Sequence, residues 1–338
     1  MQSRKLMAAL MGLLATTAIA EPNRGIGIYF DQDMMLPVVN EDRDYTMGVA
    51  LEFFSEDKGL YFLDNTLKQI GDYFGVIDRN EPIRRSYLIG SINYTPDDLS
   101  ATAPIPNDRP YASVLFLANK RVYADGDVAI GVEGQVGLLG TYVAREVQKT
   151  LHGAYRDATG EDEPVDPLGW RNQISAGGEL TGRVRVAYAE RLAGLSSPGL
   201  FDLAWTGDLS LGYQTNASLG LSARAGLINS PFWSLPYDPI NRGNFVPAFG
   251  SRELYLWGAY RARLVGYDAL LQGQFRDSAV TYGGSEINRL VHEAGVGVTG
   301  TYEGVQLTMS ANMKTAELDQ GLAERTHWWG GTYLTIRF

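Results

Sequence analysis

Gln148 and His152 stand four residues apart in a stretch rich in good helix formers, Ala144-Arg145-Glu146-Val147-Gln148-Lys149, so a helix there carries both on one face. The chain has three histidines, the others being His292 and His327. Imidazole accepts a proton near neutral pH, which makes His152 a candidate general base for activating water. A second group of residues offers oxygen. Gln32-Asp33 closes one alternating segment, Asp44-Tyr45-Thr46 opens the next, and Asp31 and Asp42 lie close by. Carboxylate, amide and hydroxyl oxygens suit a hard cation, although Asp at strand ends is more commonly a polar loop terminus. A third feature, Asn107-Asp108-Arg109-Pro110-Tyr111-Ala112, supplies a guanidinium that binds phosphate or pairs with a neighbouring carboxylate. Ser113 follows directly but has no histidine near it in sequence, which weakens a serine nucleophile. With no cysteine, thiol chemistry and disulfides are excluded.

These groups sit at the ends of strands. Period-2 alternation recurs through most of the chain, as in Tyr45 to Phe54, where Tyr45, Met47, Val49, Leu51 and Phe53 share a face. Val128 to Leu138 and Val305 to Met313 alternate in the same way. Glu133, Arg183 and Arg185 all fall on the polar phase, which suits a wall with lipid outside and a polar lumen inside. Strands are expected over 25–33, 45–55, 86–94, 111–123, 127–140, 175–190, 201–215, 217–228, 252–266, 289–302, 304–314 and 327–338. The strongly polar 268–277 is treated as a strand extension or loop. The result is an all-β protein, an antiparallel transmembrane β-barrel of about twelve strands with a short helical outer loop.

Residues 1–20 read as a cleaved export signal. Arg4 and Lys5 precede an apolar run, and Ala18-Ile19-Ala20 forms a small-x-small site, which leaves 21–338 as one barrel domain. The last strand alternates and ends on Phe338. Plentiful glycine (39) and more tyrosine than phenylalanine (19 against 12) fit strands shared between lipid and lumen. A formal net charge of −10 argues against nucleic acid, whose phosphates demand a basic surface. Segments 34–44, 95–110, 141–174, 267–288 and 315–326 then lie at the outer surface, and Asn229 to Ser251 lies in the periplasm. A porin-type channel needs more strands, and bulky Arg and Tyr inside point to a plugged interior.

In these residues the chain resembles the outer-membrane lipid A 3′-O-deacylase family. The likeness rests on Asp108-Arg109-Pro110-Tyr111-Ala112 after the Tyr94-Thr95-Pro96 turn, on Gly137 to Gly140, and on Gln148 with His152. Gly169-Trp170, Gln173 and Asp44-Tyr45-Thr46-x-Gly48 complete it. The resemblance spans the mature chain. It implies hydrolysis of the ester that holds the 3′ acyloxyacyl chain on lipid A of lipopolysaccharide in the outer leaflet, with Ca2+, by a monomer whose site lies near the outer lumen mouth. Carried over, His152 would be the base, Asp33 would hold the metal or orient the site, and Thr46 and Gln148 would line it. Arg109 and Gln173 would meet substrate. The family has an Asn-Asp pair where this chain has Gln32-Asp33, the expected metal pair, and Asp157 is the acid expected to orient His152. The alternatives are a non-catalytic barrel and a phospholipase-type lipase.

Overall fold

The computed structural model describes residues 24–36, 43–55, 69, 82–160, 167–194, 199–235 and 251–338. The expected leader, Asp42 and the middle of the 229–251 connection lie outside them. Twelve antiparallel strands follow one another around a closed barrel, and β1 pairs with β12. They are β1 (Arg24–Gln32), β2 (Asp44–Ser55), β3 (Arg84–Thr95), β4 (Ala112–Asp125), β5 (Val128–Leu139) and β6 (Glu179–Gly194). The second half comprises β7 (Gly199–Gly212), β8 (Gln214–Ile228), β9 (Arg252–Asp268), β10 (Leu290–Tyr302), β11 (Val305–Lys314) and β12 (His327–Arg337). Closure pairs the backbone groups of every strand on both sides, which is what lets a sheet cross hydrocarbon.

The alternation sorts side chains as the sequence predicts. Phe53, Ile89, Leu117, Val136, Leu256 and Met309 are exposed on the outside. Glu133, Arg183 and Arg185 face the lumen, where Arg183 meets Glu133 at 3.2 Å and Arg185 meets Asp208 at 3.5 Å. Arg261 and Arg263 share Glu293 at 2.5 and 3.0 Å. Both ends of the lumen are narrowed by packed side chains. At the rim of the chain termini, Arg224 holds Asp202 at 2.5 Å and Ser230 at 2.9 Å. That fastens Phe232 and Trp233 against Val122, Ala129 and Ala187. At the opposite rim, Ala269 and Leu270 pack with Tyr45, Tyr94, Val114 and Phe116.

Three details depart from the sequence reading. The 268–277 segment, read as a strand extension or loop, leaves the strand after Asp268, the last residue of β9. Asp268 caps a one-turn helix, α2 (Ala269–Gln272), its carboxylate accepting from Leu270 N at 2.9 Å. Tyr45 leaves the outward face because the β2–β3 register shifts between Asp44 and Met47, and its hydroxyl reaches Asp31 in the lumen at 2.8 Å. Finally, β6 begins at Glu179 because Ser175, Gly177 and Gly178 adopt positive φ and turn the chain back, Gly177 N donating to Gly140 O at 3.2 Å. At Gly140 (φ +74) an added Cβ would lie 2.2 Å from Ser175 O, so this corner requires glycine. Between β5 and β6 stands the expected helix, α1 (Val143–Thr159), with Glu146 in its first turn and Arg156 in its last, both suited to the helix dipole.

Candidate active site

Because neighbouring strands are antiparallel, the ends of β1, β3 and β5 and the starts of β2, β4 and β6 share one rim. There the outward phase turns polar. Along β3, exposed Ile89 is followed on the same face by Ser91, Asn93 and Thr95, and the last two are buried. Ser91 Oγ donates to Asn93 Oδ1 at 2.9 Å, and Asn93 Nδ2 donates to Met47 O at 3.2 Å. On β4, Ser113 shares the phase of exposed Leu117 and is fully buried. On β1, Tyr29 and Asp31 turn inward to Glu52 and Tyr45, which sends Gln32 outward. Polar groups facing lipid are costly unless covered or paired.

α1 stands at the same rim. Among its described side chains, Ala144, Gln148 and His152, spaced by four, are the buried ones, with His152 6 % exposed. Val143 and Val147 instead point away, 44 % and 37 % exposed. Ala144 packs with Trp170 and Tyr111, whose rings stand 4.9 Å apart. The Trp170 indole N–H donates to Gln148 Oε1 at 2.7 Å. The helix is therefore held at the rim by this face, against Tyr111 and Trp170, and His152 follows Gln148 one turn further along it.

At the end of β1, Asp33 is 1 % exposed. Its carboxylate accepts from Gln32 Nε2 at 3.1 Å and from the Arg43 backbone N–H at 2.8 Å. Gln32 Oε1 is buried with no hydrogen-bond donor among the described residues. An acceptor without a donor beside a buried carboxylate is the arrangement a hard cation satisfies. Among the described residues no group of three or more His, Asp or Glu could hold a metal, so any cation here would take oxygen from outside such a cluster. Gly330 makes room for this corner: a Cβ there would sit 2.7 Å from Met35 Cβ, just beyond Asp33. The Thr46 hydroxyl lies 2.5 Å from that of Thr95.

The structure thus brings Gln32 beside Asp33, Thr46 beside Thr95, and Gln148 onto the helix face that carries His152. It revises four expectations. The polar strip lies on the outer face of the wall, not in the lumen mouth. Arg109, expected to meet substrate, turns into the lumen, where it pairs with Glu317 and stacks over Tyr94 at 3.7 Å. Gln173 is committed to structure: it accepts from Ser113 Oγ at 2.8 Å and donates to Thr141 O at 3.2 Å, fastening the root of α1. Asp157 cannot orient His152 from its position, because its side chain is 78 % exposed beside Arg156 and lies off the buried face. Ser113, its hydroxyl engaged by Gln173, is not poised as a nucleophile. Asn93, Thr95, Tyr111 and Trp170 are contributors the sequence reading did not assign to the site. The signal for the first two was a run of polar residues on an otherwise apolar phase.

Behind the wall, an ionic network braces the same rim. Arg43, whose backbone holds Asp33, pairs with Asp97 at 2.5 Å, and the Asp97 N–H donates to Asp108 Oδ2 at 2.7 Å. Arg325 joins Asp108 at 2.9 Å to Asp44 at 2.7 Å. Burial pushes the Glu317 carboxyl up, but Arg109, Lys314 and His327 outweigh it and hold it well below the usual carboxylate range. The Tyr282 hydroxyl, which donates to Asp108 O at 2.5 Å, is pushed up to about 12 by burial and by the carboxylates of Asp108 and Glu286.

Comparison with known proteins agrees with this architecture. Among solved structures, LpxR from Salmonella typhimurium superposes with a TM-score of 0.68 at 14 % identity, covering 93 % of this chain and 100 % of its own. The β domain of the Bordetella autotransporter BrkA (TM-score 0.41, 9 % identity, 94 % of this chain and 99 % of its own) is more distant. So is an outer-membrane channel from Pseudomonas putida F1 (0.40, 12 %, 96 % and 98 %). A comparison with curated protein sequences returned no significant match. The family model described as "Outer membrane protein LpxR" matches residues 6–338. The chain therefore belongs to the LpxR family of outer-membrane β-barrel proteins.

Proposed function

We propose that this protein is an outer-membrane lipid A deacylase that hydrolyses the ester carrying the 3′ acyloxyacyl chain. Family membership supports the class of reaction. The observation that carries the reading is the polar strip on the outer face of the wall, with the buried Gln148–His152 face of α1 at the same rim. A lipid ester arrives from the side, through the leaflet. Catalytic groups that serve it without extracting the lipid must stand outside the barrel, at headgroup height, and be shielded from hydrocarbon.

In the proposed reaction neutral His152 takes a proton from water as the water oxygen attacks the ester carbonyl carbon. Collapse of the tetrahedral intermediate breaks the bond to the sugar oxygen, and the imidazolium returns the proton to that leaving oxygen. The products are a sugar hydroxyl and a 3-acyloxy fatty acid. Gln148, fixed by Trp170, holds the helix face in register with the wall, and Thr46 and Thr95 supply hydroxyl groups at the rim. Asp33 and Gln32 are the residues that would hold Ca2+, with main-chain carbonyls and substrate completing its oxygen ligands. When bound, the ion would supply positive charge for the developing oxyanion.

The test is mass spectrometry of lipid A from cells that express the chain. Loss of one acyloxyacyl unit is expected, and EGTA added to the purified enzyme should stop the reaction. Intact lipid A in both settings would leave a barrel that does not cleave lipid A, and activity indifferent to EGTA would remove calcium.

A further inference from the structure

The outward side of α1 is the wrong way round for a helix in water. Its buried face is Ala144, Gln148 and His152, while Tyr142 at its start and Val143 and Val147 are exposed. These three line an open, mainly apolar groove of about 590 Å³ together with Glu146 and Thr150. At 100° per residue, the exposed valines lie to one side of the buried face. Arg145, Lys149 and Arg156 lie to the other. A loop helix bathed in solvent gains nothing from such a stripe, since burying the valines against the wall would stabilise it by about 1.5–3 kcal/mol each.

The surroundings identify what covers it. β5 leads into α1, and its last outward residues, Val136 and Leu138, are exposed, as are Leu117 on β4 and Leu180 on β6. This belt is the lipid-facing surface of an outer-membrane barrel, and Tyr142, Val143 and Val147 continue it past the strand ends. The geometry points to α1 as an interfacial helix whose Tyr142–Val143–Val147 groove holds an acyl chain of an outer-leaflet lipid. Its basic side is turned towards the headgroup phosphates. A helix of this kind sits with its apolar face about 5–10 Å into the headgroup–acyl boundary. The inference requires only the outer-membrane setting and stands or falls separately from the proposed deacylation.

The absence of cysteine makes the test direct. Single variants Val147→Cys, Leu138→Cys and Lys149→Cys are nitroxide-labelled in the full barrel, reconstituted in phospholipid vesicles. Heat-modifiable migration on gels shows that each variant has folded. Relative collision rates with oxygen and with a water-soluble nickel chelate report depth. The label at 147 should match the belt position 138, with an oxygen-to-nickel ratio several-fold above that at 149. Equal ratios at 147 and 149, or nickel access at 147 well above 138, would place the groove in water and overturn the inference. Spin-labelled phospholipid whose chain nitroxide shows no contact with a label at 147 would remove the acyl occupant.

Discussion

Replacing Arg109 with Met should cost stability and leave substrate affinity alone. The guanidinium is 1 % exposed, pairs with Glu317 and stacks on Tyr94 at 3.7 Å, all on the lumen side of the wall. Removing one partner of a buried ion pair costs about 3–5 kcal/mol. Lys314 stays 2.8 Å from Glu317 and continues to compensate it, which favours the lower end of that range. The lost stacking adds about 2 kcal/mol for a desolvated pair, so a total of about 5 kcal/mol is expected. Glu317 also gives the variant a pH signature. Its depressed carboxyl contributes stability above the unfolded value of about 4.3, and that contribution is lost as pH falls through the lowered folded value. Without Arg109 the folded value rises towards the unfolded one, so the acid-side loss should be smaller and should be complete at higher pH. Urea unfolding in vesicles, followed by tryptophan fluorescence, measures both effects. A raised KM for lipid A at unchanged stability would refute this reasoning and return Arg109 to the substrate.

Other outcomes follow from the same contacts. Gln148→Leu strands the buried Trp170 N–H, a cost of about 1–3 kcal/mol, and should speed hydrogen exchange in α1 and lower deacylation while the strands stay protected. Exchange no faster than in the parent would mean that the bond does not seat the helix. Gly330→Ala puts a Cβ 2.7 Å from Met35 Cβ, an overpacking of about 1–3 kcal/mol. The cheapest relief is to displace residues 33–35, so activity should fall with little change in melting. Full activity would show that the placement of Asp33 is not critical. Tyr282 should stay neutral until about pH 12, and its share of stability, fully present below the unfolded value of about 10, should be lost as pH rises from there through about 12. Alkaline difference spectra of the parent and of Tyr282→Phe check this.

Much of the fold was legible because lipid enforces alternation strictly. Val136 and Leu138 had to face out, and Glu133, Arg183 and Arg185 had to face in, so strand number followed from phase. Local breaks were not legible. The bulge that swings Tyr45 inward depends on its partner Asp31, and the cap that turns Asp268 into a helix start looks in sequence like one more polar strand residue. For the site, residue types were readable but direction was not. Helical spacing put Gln148 and His152 on one face, and the structure leaves Val143 and Val147 exposed on another. Only the wall determines which face turns inward, and with lipid outside the usual preference reverses. Arg109 carried the right chemistry for phosphate, but its position on the lumen side of the Tyr94 ring could not be inferred from its neighbours in sequence.

The proposed deacylation depends on His152 as its base. Purified His152→Ala, shown by its heat-modifiable migration to be a folded barrel, should leave the mass of lipid A unchanged under conditions where the parent chain removes one acyloxyacyl unit. Removal of that unit by the folded variant at a rate near the parent's would contradict the account.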